Sequence, residues 1–186
     1  MPKSKLVIAG IAMIVAWGVV SAQEAPKWGY IEAGYVDFDP DSGESDSGGF
    51  AGASMNLFRN FHLFAEYNDA GDFTFWNAGF GWHGLFGDPG DLFAEVVWND
   101  IEVDSPSGSA SDDGYEVSGG VRWKLGKWFD VKGQVNWIDL DQGGDDTTFE
   151  VEGLLCLLDD RLGLGVGYET GDADTMRAFA RWSFGR

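Results

Sequence analysis

From Trp28 to Phe184 the chain runs through segments in which apolar and polar residues alternate, broken by clusters of Gly, Asp and Ser. One-for-one alternation is the mark of a β-strand, because successive side chains point to opposite faces. Ten segments carry it: Trp28–Phe38, Gly48–Leu57, His62–Asn68, Phe73–His83, Leu92–Val103, Tyr115–Leu125, Phe129–Leu140, Thr148–Leu158, Leu162–Thr170 and Thr175–Phe184. No stretch after Gln23 shows a helical period. Evenly spaced strands between turn residues predict an all-β barrel or sandwich.

The connections sort by parity. The first, third, fifth, seventh and ninth are DPDSGESDS, DAGD, DSPSGSASDDG, DQGGDD and GDAD, with no Lys or Arg among them. The second, sixth and eighth are tight turns around Arg59, Lys127 and Arg161; the fourth, GLFGDPGD, is longer. An up-and-down topology places every odd connection at one end, so one end of the molecule is acidic.

Alternation fits two opposite objects, a soluble carrier with its apolar phase inside and a membrane barrel with that phase outside. The order of residue types along the apolar phase discriminates between them. Near the acidic end it carries Tyr35, Tyr67, Trp76, Trp98, Tyr115, Trp137, Phe149 and Tyr168, and near the other end Trp82, Trp123, Trp182 and Phe184. Small and aliphatic residues such as Ala33, Val96, Val121, Val166 and Ala180 lie between. Two aromatic belts around an aliphatic zone suit the two interfaces of a bilayer, where an apolar ring with a polar handle is most stable. Ten residues at about 3.3 Å each, tilted about 40°, span roughly 25 Å, the height of such an apolar band.

The opposite phase holds Glu32, Glu66, Glu95, Glu116, Arg122, Lys124, Lys132, Glu150, Glu152, Glu169, Arg177 and Arg181. It is expected to face a small polar interior. The reading therefore requires Trp76, Val121 and Ala180 to point outward and Glu95 and Lys132 inward.

In hydrocarbon every backbone N–H and C=O must be paired within the protein, so the sheet must close, last strand on first. The last strand presents Met176, Ala178, Ala180, Trp182 and Phe184 on one side. Here the chain resembles the bacterial outer-membrane β-barrel family of Gram-negative cells, small OmpA-like, porin-like barrels in particular, over Trp28 to Phe184. The resemblance implies a closed up-and-down antiparallel transmembrane β-barrel. It also implies that this last strand serves as an assembly signal read by the barrel-assembly machinery, although Gly185 and Arg186 extend past the aromatic. Ten strands are expected, with eight, usual for small members, as the alternative. DAGD and LLCLLDDRLGLG are where the count could fail, and a bulge is expected near Leu154–Leu158, where both phases are apolar.

Residues 1–22 read as a Sec-type signal peptide: Lys3 and Lys5, an apolar run from Leu6 to Val20, then Val20-Ser21-Ala22 before Gln23. Residues 23–186 would form the barrel, with both termini periplasmic. Without the leader, 10 basic residues face 31 acidic ones, against 12 and 31 in the whole chain of net charge −19. That balance argues against nucleic acid as a partner. Lipid and lipopolysaccharide are the expected partners, and a monomer the expected state. Cys156, the single cysteine, has no internal disulfide partner and is read as a small inward packing residue.

Candidate chemistry is sparse. His62 and His83 are the only histidines. Both fall at the rim opposite the acidic end, away from any Asp-His pair or nucleophile motif, so they are expected to pack at the interface or against turns, and no catalysis or cofactor is expected. The first acidic loop resembles a calcium loop but has Ser42 and Gly48 where the EF-hand pattern needs Gly and Glu. A looser divalent-cation site at Asp39, Asp41, Glu44 and Asp46 stands against a solvated loop. For the interior, a lumen filled by ion pairs and Phe side chains is expected, with inward glycines keeping a narrow cation-preferring pore as the alternative. A non-enzymatic structural or surface-interaction role follows, and a soluble periplasmic ligand-binding barrel is the second alternative.

Overall fold

The computed structural model describes residues 25–40, 45–85, 89–105, 108–142 and 144–184; residues 1–22, read above as a signal peptide, lie outside them. Ten strands follow one another: β1 Gly29–Pro40, β2 Asp46–Phe58, β3 Phe61–Ala70, β4 Phe73–Leu85, β5 Gly90–Ser105, β6 Gly108–Leu125, β7 Phe129–Leu140, β8 Gly144–Leu157, β9 Leu162–Thr170 and β10 Ala173–Phe184. Each pairs antiparallel with its sequence neighbours, and β10 returns to β1 to close the barrel. The closing seam is long, running from Gly29↔Phe184 to Pro40↔Ala173 without a break. Among the described strands no backbone edge is left open.

Side-chain direction follows the alternation. Trp76 and Val121 are 44% and 43% exposed on the outer face and Ala180 is exposed beside them, whereas Glu95 is 9% exposed inside. Lys132 lines an internal cavity. The belt residues Tyr35, Tyr67, Trp82, Tyr115, Trp137 and Trp182 are all exposed, and Trp98, Trp123 and Tyr168 half-buried. Trp98 and Tyr115 are cross-strand partners whose rings meet edge to face at 4.9 Å.

Two expectations need correction here. No register shift occurs at Leu154–Leu158: β8 pairs continuously with β7 and β9, and Leu154 and Cys156 turn inward and are buried. The register shifts instead between Asn56 and Phe58, where β2 ends beside the Arg59 turn. The fifth connection is not an open loop either; β5 and β6 continue as a ribbon from Asn99↔Gly114 to Ser105↔Gly108. Continued ladder bonds satisfy the backbone there, so the acidic end is built largely of strand.

The turns explain why the two doubtful hairpins form. Gly71, at φ +63°, leads the two-residue link between Ala70 and Phe73, a left-handed conformation glycine takes without a Cβ clash. In the β8–β9 turn Leu158, Asp159 and Asp160 all have positive φ, at 51°, 54° and 61°. Asp tolerates this region, but Leu does so at a cost of about 1 kcal/mol or more.

If the outer face meets hydrocarbon, a charge at its middle is costly. Val96, midway along β5 and paired with Phe80 and Val117, is the place to ask. Val96→Arg is expected to lower stability in phospholipid vesicles by about 2–4 kcal/mol, and Ser111→Arg, near the acidic tip, by roughly 0–1 kcal/mol. Denaturant titration of the folded, vesicle-embedded protein reads both.

Candidate functional site

The inward phase builds a lumen in layers. At the end carrying the termini, Trp28 enters beneath β1 and is almost completely buried. Its indole stacks on His62 at 4.6 Å and on His83 at 4.8 Å, and Phe93 meets it edge-on at 5.3 Å. Its Nε1–H donates to Asp91 at 2.8 Å, and the Arg122 guanidinium lies 5.3 Å from the ring centroid. The backbone beside it is tied down as well. Ser54 donates to the Trp28 carbonyl at 2.6 Å and Arg122 to the Lys27 carbonyl at 2.9 Å. Arg122 also forks onto Asp130 at 2.8–3.1 Å, and Lys124 pairs with Asp160.

The histidine expectation is corrected here. His62 and His83 lie on the inward phase and form the walls that hold the indole, so they are lumen residues and not interfacial ones. With its proton on Nε2, His62 donates to Glu95 at 2.9 Å, and Ser118 donates to the same carboxylate at 3.2 Å. The partners Asp91, Asp130 and Asp160 were not singled out in the sequence. Each sits close to a turn, where an inward Asp reads like ordinary turn composition.

One layer up, Arg181 is 3% exposed and spans Glu32 at 2.6 Å and Glu152 at 2.9 Å. Its guanidinium also lies over Tyr30 and Phe179, at 4.3 and 5.0 Å. Lys132 pairs with Glu150 at 3.6 Å. Higher still, Arg177 meets Glu66 at 3.1 Å and Glu169 at 3.9 Å, while Asn136 and Thr148 also donate to Glu169. Glu116 has a longer contact, from Asn99 at 3.4 Å. All the sequence-derived lumen charges therefore face inward.

Three inward glycines, Gly79, Gly81 and Gly165, are seats rather than gaps. A Cβ at Gly165 would stand 2.3 Å from the Phe179 ring, one at Gly79 2.3 Å from Phe64, and one at Gly81 2.3 Å from His62. Large rings from neighbouring strands lie across them and take up the space that would otherwise favour a channel.

Above this packing a second surprise appears. Towards the acidic end the inward phase turns apolar again, at Val36, Phe38, Ala70, Phe75, Ile101, Ile138 and Leu140. These residues wall a cavity of about 320 Å³ whose upper rim includes Asp145, Asp146 and Asp172. Below it lies a polar cavity of about 110 Å³. Glu66, Asn77, Glu116, Glu169 and Arg177 line both. Beneath the indole a third space, of about 420 Å³, opens beside Arg59 and Asn60. Trp28 lines this space and the polar cavity alike, so the indole is the partition between them. The apolar upper wall was visible in the sequence as breaks in the alternation, at Val36, Ile101, Ile138 and Leu140.

Of the candidate cation ligands, Asp39 accepts a hydrogen bond from Ser45 at 2.7 Å, and Asp46 lies on β2, its carboxylate against Gly71. Asp41 and Glu44 lie outside the described residues. Among the described residues no three metal-ligating side chains gather.

No family model matches the chain, and no curated protein matches it. Solved structures do. A KdgM porin in complex with disordered oligogalacturonate matches with a TM-score of 0.50 at 12% identity, over 84% of this chain and 99% of that one. The N-terminal β-barrel domain of Pseudomonas aeruginosa OprF matches at 0.48 and 11%, over 84% and 100%. Ail, the attachment invasion locus protein of Yersinia pestis, matches at 0.41 and 12%, over 83% and 99%. At such identities the likeness speaks to architecture. The chain has the closed-barrel fold of the bacterial outer-membrane porin it matches.

Three substitutions test the packing. Arg181→Met strands two buried carboxylates and is expected to destabilise the barrel by about 3–5 kcal/mol, with much of the loss recovered in a Glu32→Gln/Glu152→Gln background. Gly165→Ala, pressed against Phe179, is expected to lose about 1–3 kcal/mol. Gly167→Ala, whose nearest neighbours stand at 3.8 Å, should behave as wild type. Urea midpoints in detergent micelles measure all three.

Proposed function

We propose that the protein is a non-enzymatic, monomeric barrel of the outer membrane, closed to solute flow and acting through its acidic, outward-facing end in a structural or surface-interaction role. In this reading the leader directs export, both termini lie in the periplasm, and bridging divalent cations hold the acidic strands against lipopolysaccharide. The observation that carries it is the Trp28 partition. The indole is clamped between two imidazoles, hydrogen-bonded to Asp91 and backed by the Arg122–Asp130 pair, just where a conducting path would have to pass. The same use of both histidines speaks against catalysis, since each imidazole lies stacked against the indole.

A narrow cation-preferring pore is the competing reading, favoured by the excess of inward carboxylates over inward cations. Planar-bilayer recording on refolded protein separates the two. The wild type is expected to give no stepwise conductance, and Trp28→Ala to admit small ions with a preference for cations, while heat-modifiable gel mobility shows the variant still folded. Regular cation-selective steps from the wild type would replace this reading with the pore.

A further inference from the structure

The upper cavity has a composition that ion pairing alone does not explain. Its walls are apolar, from Val36, Phe38, Phe75, Ile101, Ile138 and Leu140, yet it lies at the acidic end of a barrel whose outer face already carries the apolar band. A polar lumen open to water gains nothing from such walls, which hold ordered water poorly. Its floor is polar and unbalanced. Glu66, Glu116 and Glu169 face a single cation, Arg177, which engages Glu66 and Glu169. Glu116 is left with the long contact from Asn99. Asn77, which lines the same floor, has a buried Oδ1 with no partner. At about 320 Å³ the space falls within the range of small-molecule sites, which combine apolar walls with a few convergent polar groups.

We propose that this cavity is a binding cup for a small amphipathic organic cation, a primary ammonium carrying a short apolar or aromatic body. The body packs against Phe38, Phe75, Ile101 and Ile138, and the ammonium sits on the floor beside Glu116. An ammonium offers three N–H donors to a floor rich in acceptors and supplies the positive charge that Arg177 leaves wanting. An anionic head would meet three carboxylates there. A metal ion would make no use of the walls. The acidic rim of Asp145, Asp146 and Asp172 raises the local concentration of cations over anions at the mouth. The inference rests on the acidic end facing outward and adds a ligand class to the surface role.

The probe is benzylammonium, titrated into refolded protein by calorimetry, with benzyl alcohol and phenylacetate as neutral and anionic comparators. A fragment of this size is expected to bind with a Kd of about 1 mM. Both comparators, and the Glu116→Gln variant with benzylammonium, should bind at least about tenfold more weakly. Ile101→Asn weakens benzylammonium and leaves methylammonium unchanged, and it stands in if Glu116→Gln does not fold. Saturable 1:1 binding with this ranking supports the cup. No saturation by about 20 mM, equal binding of phenylacetate, or an unchanged Kd in folded Glu116→Gln overturns it. Conductance is a separate readout, so a conducting wild type would sink the closed-barrel reading without deciding this one.

Discussion

A peptide group in hydrocarbon has no water to bond with, and everything else in this barrel follows from that. Ten strands satisfy each other only if the last meets the first, and the unbroken β1–β10 register from Gly29↔Phe184 to Pro40↔Ala173 is that condition met in full. Closure makes the side-chain phases unequal. One is turned to the surroundings and must be greasy in its middle and amphipathic at its rims; the other is confined to a narrow tube.

Confinement sets the character of the interior. Charges that would be cheap on a water-exposed surface are costly here unless paired, and the structure holds many of them in shared arrangements: Arg181 between two glutamates, Arg122 on Asp130 and the Lys27 carbonyl, His62 on Glu95. Isolated buried ion pairs are poor sources of stability, because desolvation opposes the Coulombic gain. Their value here is positional: each fixes one wall against another across the lumen. The glycine seats do the same by shape, letting Phe179, Phe64 and His62 lie flat across neighbouring strands.

The two ends of the lumen serve different ends. At the termini the indole of Trp28 completes an aromatic partition that ties the incoming chain to four strands. At the acidic end the interior widens into an apolar cup over a carboxylate floor. Structural neighbours of low identity share the barrel architecture. They leave open what a barrel of this kind does, because function in such folds resides in the lumen and the outer end, which vary freely once closure is secured.

Strand number, up-and-down order, the lipid-facing phase and the inward charges were legible in the sequence, because a period of two, repeated ten times against a fixed membrane thickness, leaves few ways to arrange the chain. The lengths of the acidic strands were not, since Ser, Gly and Asp favour turns locally and only the ladder between β5 and β6 holds them extended. Nor was the partition. Trp28, His62, His83, Asp91 and Arg122 come from five separate places in the chain, and nothing in any one segment announces the others. That meeting is a product of barrel closure, which converts distant positions of equal height into neighbours. The tertiary structure alone decided that the histidines would hold an indole, that the glycines would seat rings, and that four breaks in the alternation would face one another as a cup.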